Sequence, residues 1–313
     1  MLQKIENKLL EYIINEKVWT NVYGVARSII ALSFLLTLLI NDTKVFFRPT
    51  SDLSEFPVCS NVSFGLFCII PTTGNYIILE VIRFVSIIIL LLVVIGWRPK
   101  FTGILHWYIM YSWNTAAITL DGGEQVSSVI TFLLIPITLT DHRKWHWTKL
   151  KEDEHKQCNI YKKALCIISY WFIRVQIAIL YLHSTVAKVF EEEWINGTAV
   201  YYFLEDPIFG LNPYLHKIFD YFLTSPLIIL PTWGTLIIQI SLFGALFVNK
   251  KYWKYFLLVA IFMHEIFAVI LGLISFSLVM LGVLILYLRP LDKEFSSIHI
   301  KNKIYKRKEE EVA

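Results

Sequence analysis

Residues 170–194 read YWFIRVQIAILYLHSTVAKVFEEEW, a stretch of membrane length that is apolar at most positions yet carries Arg174, Gln176, Tyr181, His183 and Lys188. Ionisable groups at membrane depth are expensive, and where they occur they face a bundle interior or a wet cavity. Arg174, Tyr181 and Lys188 recur every seven residues and stay near one helix face, while Gln176 and His183 fall on roughly the opposite face. Polar groups on two faces predict protein on two sides. The expectation is a helix at the centre of a multi-helix bundle, with Lys188 at its outer end.

The rest of the chain supplies the bundle. Of 313 residues, 56% are hydrophobic and only 17% charged, and the mean hydropathy is +0.57. That balance excludes an ordinary soluble domain. No Walker or dinucleotide glycine motif, paired CxxC spacing or aromatic-interleaved basic groove is present, so nucleic acid is not an expected partner. Apolar runs predict spans at 22–40, 76–96, 101–119, 126–139, 170–194, 231–248, 255–271 and 275–288. The fold class expected is therefore all-α, a polytopic integral membrane bundle of about eight transmembrane helices plus interfacial helices. Residues 1–19 read as an amphipathic interfacial helix, 20–290 as the transmembrane bundle and 291–313 as a basic cytoplasmic tail. Residues 191–221 read as interfacial half-helices over the outer mouth.

Orientation follows from the basic residues. Most of the 29 Lys and Arg fall in loops on one side, leaving Lys44, Arg48, Lys188 and Lys217 on the other. Both termini are then cytoplasmic, and Lys188 faces outward. Cys59 and Cys68, outside and close in sequence, are expected to form a disulfide, whereas Cys158 and Cys166 stay reduced.

Several polar groups within the spans have two readings. Glu80 and Arg83, one turn apart, suit a structural pair on one helix face. Arg27, a turn inside its span, suits snorkelling to the near surface. The run His142-Arg143-Lys144-Trp145-His146-Trp147 suits an interfacial anchor, with a metal site as the lesser reading. His264 and Glu265 are either a buried pair tying helices together or a proton relay. Asp121 and Glu124 either cap the fourth span or face the outer mouth beside Lys188. Lys188 is either a base of lowered proton affinity or an anchor held charged by the glutamates that follow it.

The pattern QIAILYLHSTVAKVFEEEWINGTAVYYF resembles the HTTM (horizontally transferred transmembrane) domain, the membrane part shared with vitamin K-dependent gamma-glutamyl carboxylases. The resemblance implies that Lys188 is the family's essential lysine, that NTAAITLDGGEQ at 114–125 is its Gly-Gly-acid turn, and that His264 is its late-helix histidine. It runs from about residue 19 to 290. Within that superfamily the length, the Cys59/Cys68 loop and the eight-span layout look like the bacterial sporulation-delaying protein B (SdpB) group. This implies maturation or production of a secreted antimicrobial peptide toxin, with a small partner subunit, the toxin precursor and membrane lipid as partners. The large extracytoplasmic domain of the carboxylases has no counterpart, and the Lys188 to Trp194 interval is one residue longer than theirs. A quinone or quinol cofactor is implied by the resemblance alone. Two other functions stay open: a quinol- or lipid-dependent enzyme with Lys188 as base, and a transporter or immunity-type protein whose path is lined by Glu80, Arg83, Arg174, His264 and Glu265.

Overall fold

The computed structural model describes residues 2–50, 56–59, 64–69, 75–118, 120–150, 152–207 and 210–296. These residues form helices joined by turns, with a single antiparallel bridge between Trp97 and Trp145 as their only extended pairing. Most of the basic tail, residues 297–313, lies outside the described residues.

In chain order, α1 (Leu2–Asn15) is the amphipathic N-terminal helix and α2 (Asn21–Ile40) the first long apolar one. The short α3 (Thr43–Phe46) precedes the cysteine loop, where Cys59 and Cys68 form a disulfide as expected. Then come α4 (Tyr76–Val94), α5 (Pro99–Ala116), α6 (Gly122–Leu133) and α7 (Ile135–Thr140). A short α8 (Glu152–Gln157) leads into α9 (Ile160–Lys188), whose 29 residues rise about 43 Å. Three short helices follow: α10 (Glu192–Ile195), α11 (Ala199–Leu204) and α12 (Pro213–Leu223). The chain ends in α13 (Ile229–Gly244), α14 (Trp253–Leu271) and α15 (Ile274–Leu288). Asn residues start several of them by accepting from backbone N–H groups of the first turn: Asn75 for α4, Asn159 for α9 and Asn212 for α12. Gly272, at φ 71°, ends α14 and lets α15 turn straight back.

Among the described residues, five helical segments are long and apolar enough to cross a membrane: α2, α4, α9, the segment around α13 (Pro226–Phe247) and α14 with the turn before it (Lys250–Leu271). This fits a multi-pass membrane protein, and the expected count of eight is not confirmed by length and composition. α15 is apolar but 15 residues long, and α5 is not among the five. The expected fourth span is broken into α6 and α7, because Pro136 cannot donate to the carbonyl one turn back and its ring crowds that carbonyl. The helix expected at 170–194 begins ten residues earlier and stops at Lys188.

α9 packs on α1, α6, α7, α13 and α15, and a second helix shares the interior with it. α2 is the most enclosed span, 61% buried, against 44% for α9. It packs on α15, and the two backbones approach closely because Ala26 faces Gly282, where a Cβ would stand 2.8 Å from the Ala26 carbonyl. α9 lies beside this pair and packs on α13. The outward faces of α4, α13 and α14 expose Phe84, Ile88, Ile237, Leu258 and Phe262, an apolar belt suited to lipid. A second core of aromatic rings surrounds Trp113, with Phe34, Phe46, Phe47 and Phe67 within 5.5 Å of it.

The aromatic-basic run lies only partly at the surface, with His142 and Lys144 exposed and Arg143 and His146 buried. His146 is wholly buried, its Nε2 meets Ser28 at 3.2 Å, its backbone N–H donates to Gly96, and the Trp147 indole donates to the Ile95 carbonyl. The run plugs the space between α2 and the α4–α5 turn. Arg27 does not snorkel: it is 1% exposed, with Nη2 donating to Thr102 Oγ1 at 2.7 Å.

Candidate functional site

Three rungs climb one face of α9. At the lowest, the buried Arg174 guanidinium lies 4.8 Å from the centre of the Trp253 ring at the start of α14. Seven residues on, Tyr181 is buried and its hydroxyl meets His264 Nε2 of α14 at 3.1 Å. Seven more bring Lys188, the last residue of α9, about 10 Å above Tyr181. The seven-residue spacing thus does place the three side chains along one face, turned toward α13 and α14.

Lys188 is half-buried. Its ammonium donates to Ser184 Oγ at 2.7 Å and to the Ser184 carbonyl at 3.2 Å, and stands 5.3 Å above the Trp194 ring. Ser184 Oγ in turn reaches Gln239 Oε1 of α13 at 3.4 Å. The glutamates are not its partners: Glu191, Glu192 and Glu193 are exposed, and Glu191 instead starts α10. Trp194 is fixed beneath the amine because the Trp233 indole donates to its carbonyl at 3.2 Å, while Gly197, at φ 78°, turns the chain tightly against Ile229. A lysine held on a hydroxyl, a carbonyl and a ring keeps its charge by solvation of these neutral groups rather than by a carboxylate.

Asp121 and Glu124 form a reciprocal capping box at the start of α6: Asp121 Oδ1 accepts from the Glu124 N–H, and Glu124 Oε2 accepts from the Asp121 N–H. Asp121 Oδ2 also accepts from Ser275 Oγ of α15 at 2.7 Å, and the Ser275 carbonyl accepts from Ser33 of α2. α2, α6 and α15 are thereby tied at one point. Phe276 links this point to the second rung, with its ring 5.4 Å from His264 on one side and against Gly122 on the other. The structure therefore brings Tyr181, His264 and the start of α6 into one neighbourhood.

The remaining expected residues are elsewhere. Glu80 and Arg83 pair at 2.7 Å on α4, Arg83 Nε donates to the Leu38 carbonyl of α2, and Glu80 accepts from Thr43, so the pair fastens α4 to its neighbours. His264 and Glu265 do not pair with each other; the exposed Glu265 accepts from Ser277 at 3.1 Å. Gln176 is half-buried in a crevice shared with Gln125, and His183 is exposed, so protein covers the second polar face of α9 only in part. Among the described residues no three His, Cys, Asp or Glu side chains are gathered for a metal. His142 and His146 point to different partners, Lys162 and Ser28. Ser184 and Gln239 were missed in the sequence, although an amide in the middle of an apolar span is itself a signal of a polar contact.

The comparison with known proteins bears on the whole chain. No family model and no solved structure matches it. It is 51% identical over 290 residues to YitO, an uncharacterized protein of Bacillus subtilis (strain 168), covering 93% of this chain and 92% of that one. It is also 37% identical over 310 residues to the sporulation-delaying protein SdpB of the same organism, covering 96% of this chain and 94% of SdpB. The chain belongs to the SdpB family. An alignment of that extent spans α9 and the helices packed on it.

Proposed function

We propose that this SdpB-family chain is the membrane component of a system that matures or exports a secreted peptide toxin of the sporulation-delaying kind. It works at the outer leaflet with a small partner subunit, and Lys188 is the group it presents to the peptide. The observation that carries the reading is the end-to-end kinship with SdpB, whose name states a role in delaying sporulation. The geometry around Lys188 adds the chemistry. Its ammonium rests on Ser184 and the Trp194 ring with no carboxylate bound, so loss of its proton breaks no ion pair. Such an amine can act as a base or as a donor of fixed direction toward a peptide carbonyl.

A membrane enzyme of carboxylase type, with Lys188 as base and a quinol or lipid as co-reactant, is the second reading, and the same amine supports it. The transporter reading has less support. Glu80 and Arg83 satisfy each other on α4, Arg174 sits on a tryptophan and Glu265 on Ser277, in separate places instead of along one path.

The test is Lys188→Arg and Lys188→Met, scored as mature-peptide yield per amount of variant in the membrane. Arginine keeps the charge but does not deprotonate, and methionine keeps much of the apolar stem. Both are expected to lose at least about 10²-fold in yield, the lower end of what a positioned acid–base group contributes. Full yield from Lys188→Arg ends this role and leaves Lys188 as an anchor. A mass difference in the peptide made with and without the chain names the bond that changes.

A further inference from the structure

At the opposite end of α9 from Lys188, a cavity of about 410 Å³ opens between the chain entering α2, the segment after α7 and the first turn of α9. Its walls include Trp19, Asp141, His142, Arg143, Asn159 and Lys162. Two of the three charges cancel. Arg143 donates through Nε and Nη2 to the two Asp141 carboxylate oxygens at 2.9 and 2.8 Å, its Nη1 donates to the Thr148 carbonyl, and the Tyr23 hydroxyl donates to Asp141. This pair is buried and committed, so it forms wall and leaves the cavity with the charge of Lys162.

The uncommitted groups are donors. The Lys162 ammonium lies 2.9 Å from His142 Nε2, and an ammonium only donates, which makes that nitrogen the acceptor and leaves Nδ1 as the ring's donor. Asn159 spends its side-chain oxygen on the N–H groups of Tyr161 and Lys162, which leaves its NH₂. The remaining ammonium protons, the His142 Nδ1–H and the Asn159 NH₂ have no acceptor among the described residues. Leu150, Cys158 and the Trp19 ring give the cavity an apolar side.

A pocket of donors around one uncompensated lysine fits an oxyanion, and a basic pocket between helices at the membrane surface is where lipid headgroups are held. We propose that this cavity is a phosphate site, filled in the membrane by the headgroup of an anionic phospholipid. Lys162 supplies the charge, His142 and Asn159 supply directed donors, and Trp19 and Leu150 meet the glycerol and the first methylenes.

The test offers equal phosphatidylglycerol and phosphatidylcholine to the purified full chain and reads bound lipid by native mass spectrometry. Lys162 is exposed, so its replacement leaves the packing of α9 alone, and a thermal midpoint checks each variant. Wild type is expected to retain phosphatidylglycerol preferentially, with the preference falling about fivefold in Lys162→Gln and persisting in Lys162→Arg. A second arm adds inorganic phosphate in lipid-free detergent. Thermal stabilisation of wild type but not of Lys162→Gln, without lipid preference, keeps the phosphate site and makes a soluble phosphate its occupant. Equal retention of both lipids together with no response to phosphate overturns the proposal. So does a lipid preference that Lys162→Gln leaves unchanged.

Discussion

Gly96 shows how much of this bundle rests on single positions. It sits at φ 82°, and a Cβ there would overlap the His146 ring and stand 2.7 Å from the Trp147 indole nitrogen. Gly96→Ala is therefore expected to destabilise by at least about 1–2 kcal/mol from the left-handed backbone alone, with a further loss as His146 is pushed off Ser28. Gly234 is the control: it lies inside α13 where a Cβ meets nothing within 4 Å, so Gly234→Ala should be neutral or stabilising by up to about 1 kcal/mol. Thermal midpoints of the two variants in one detergent decide it. Equal midpoints would show that the His146 plug does not hold the α4–α5 turn. The sequence places position 96 only at the end of the second span. What it contacts lies 50 and 51 residues away, and no local pattern encodes that.

Among elements, α6 is the one whose start was most legible. Asp121 followed three residues later by Glu124 is a capping signature, and both halves of the box form. The bond from Ser275 to Asp121 was not legible, since it joins residues 154 apart. The two effects separate experimentally. Asp121→Asn keeps an N-cap acceptor and is expected to cost little, whereas Asp121→Ala loses the cap and the Ser275 bond, for about 2 kcal/mol together. The measurement is again the thermal midpoint. If the alanine variant is as stable as wild type, neither contact organises the α2–α6–α15 junction. Mature-peptide yield from a stable Asp121→Asn variant further distinguishes a cap from an acid: a cap leaves the yield intact.

For the whole molecule, the distribution of basic residues predicts that the turn at Lys250–Tyr252 faces the cytoplasm and that Lys217 on α12 faces out. In intact cells a cysteine replacing Lys251 should stay unlabelled by an impermeant thiol reagent, and one replacing Lys217 should react. Both side chains are exposed, so a failure of labelling reports membrane side rather than burial. The reverse pattern would invert the topology, moving Lys188 inside and the phosphate cavity outside.

By itself the sequence determined the class: apolar runs of membrane length can hide their backbone polar groups only as helices, so a helical bundle followed from composition and run length. It also determined the cysteine pair, the α6 cap and the face shared by Arg174, Tyr181 and Lys188, because each is encoded within a few turns of chain. Which helix is central was decided by the tertiary structure. α15 carries no charge, and in a membrane a core-facing leucine and a lipid-facing leucine look alike, so the sequence marked α9 by its polar groups but not the enclosed α2–α15 pair. The same holds for the partners of the charged groups. Lys188 turned to Ser184 and Trp194 instead of the three adjacent glutamates, and Arg27 turned inward to Thr102 instead of outward to water. Those choices depend on which neighbour is buried beside the charge once helices pack, and that is set by residues distant in the chain.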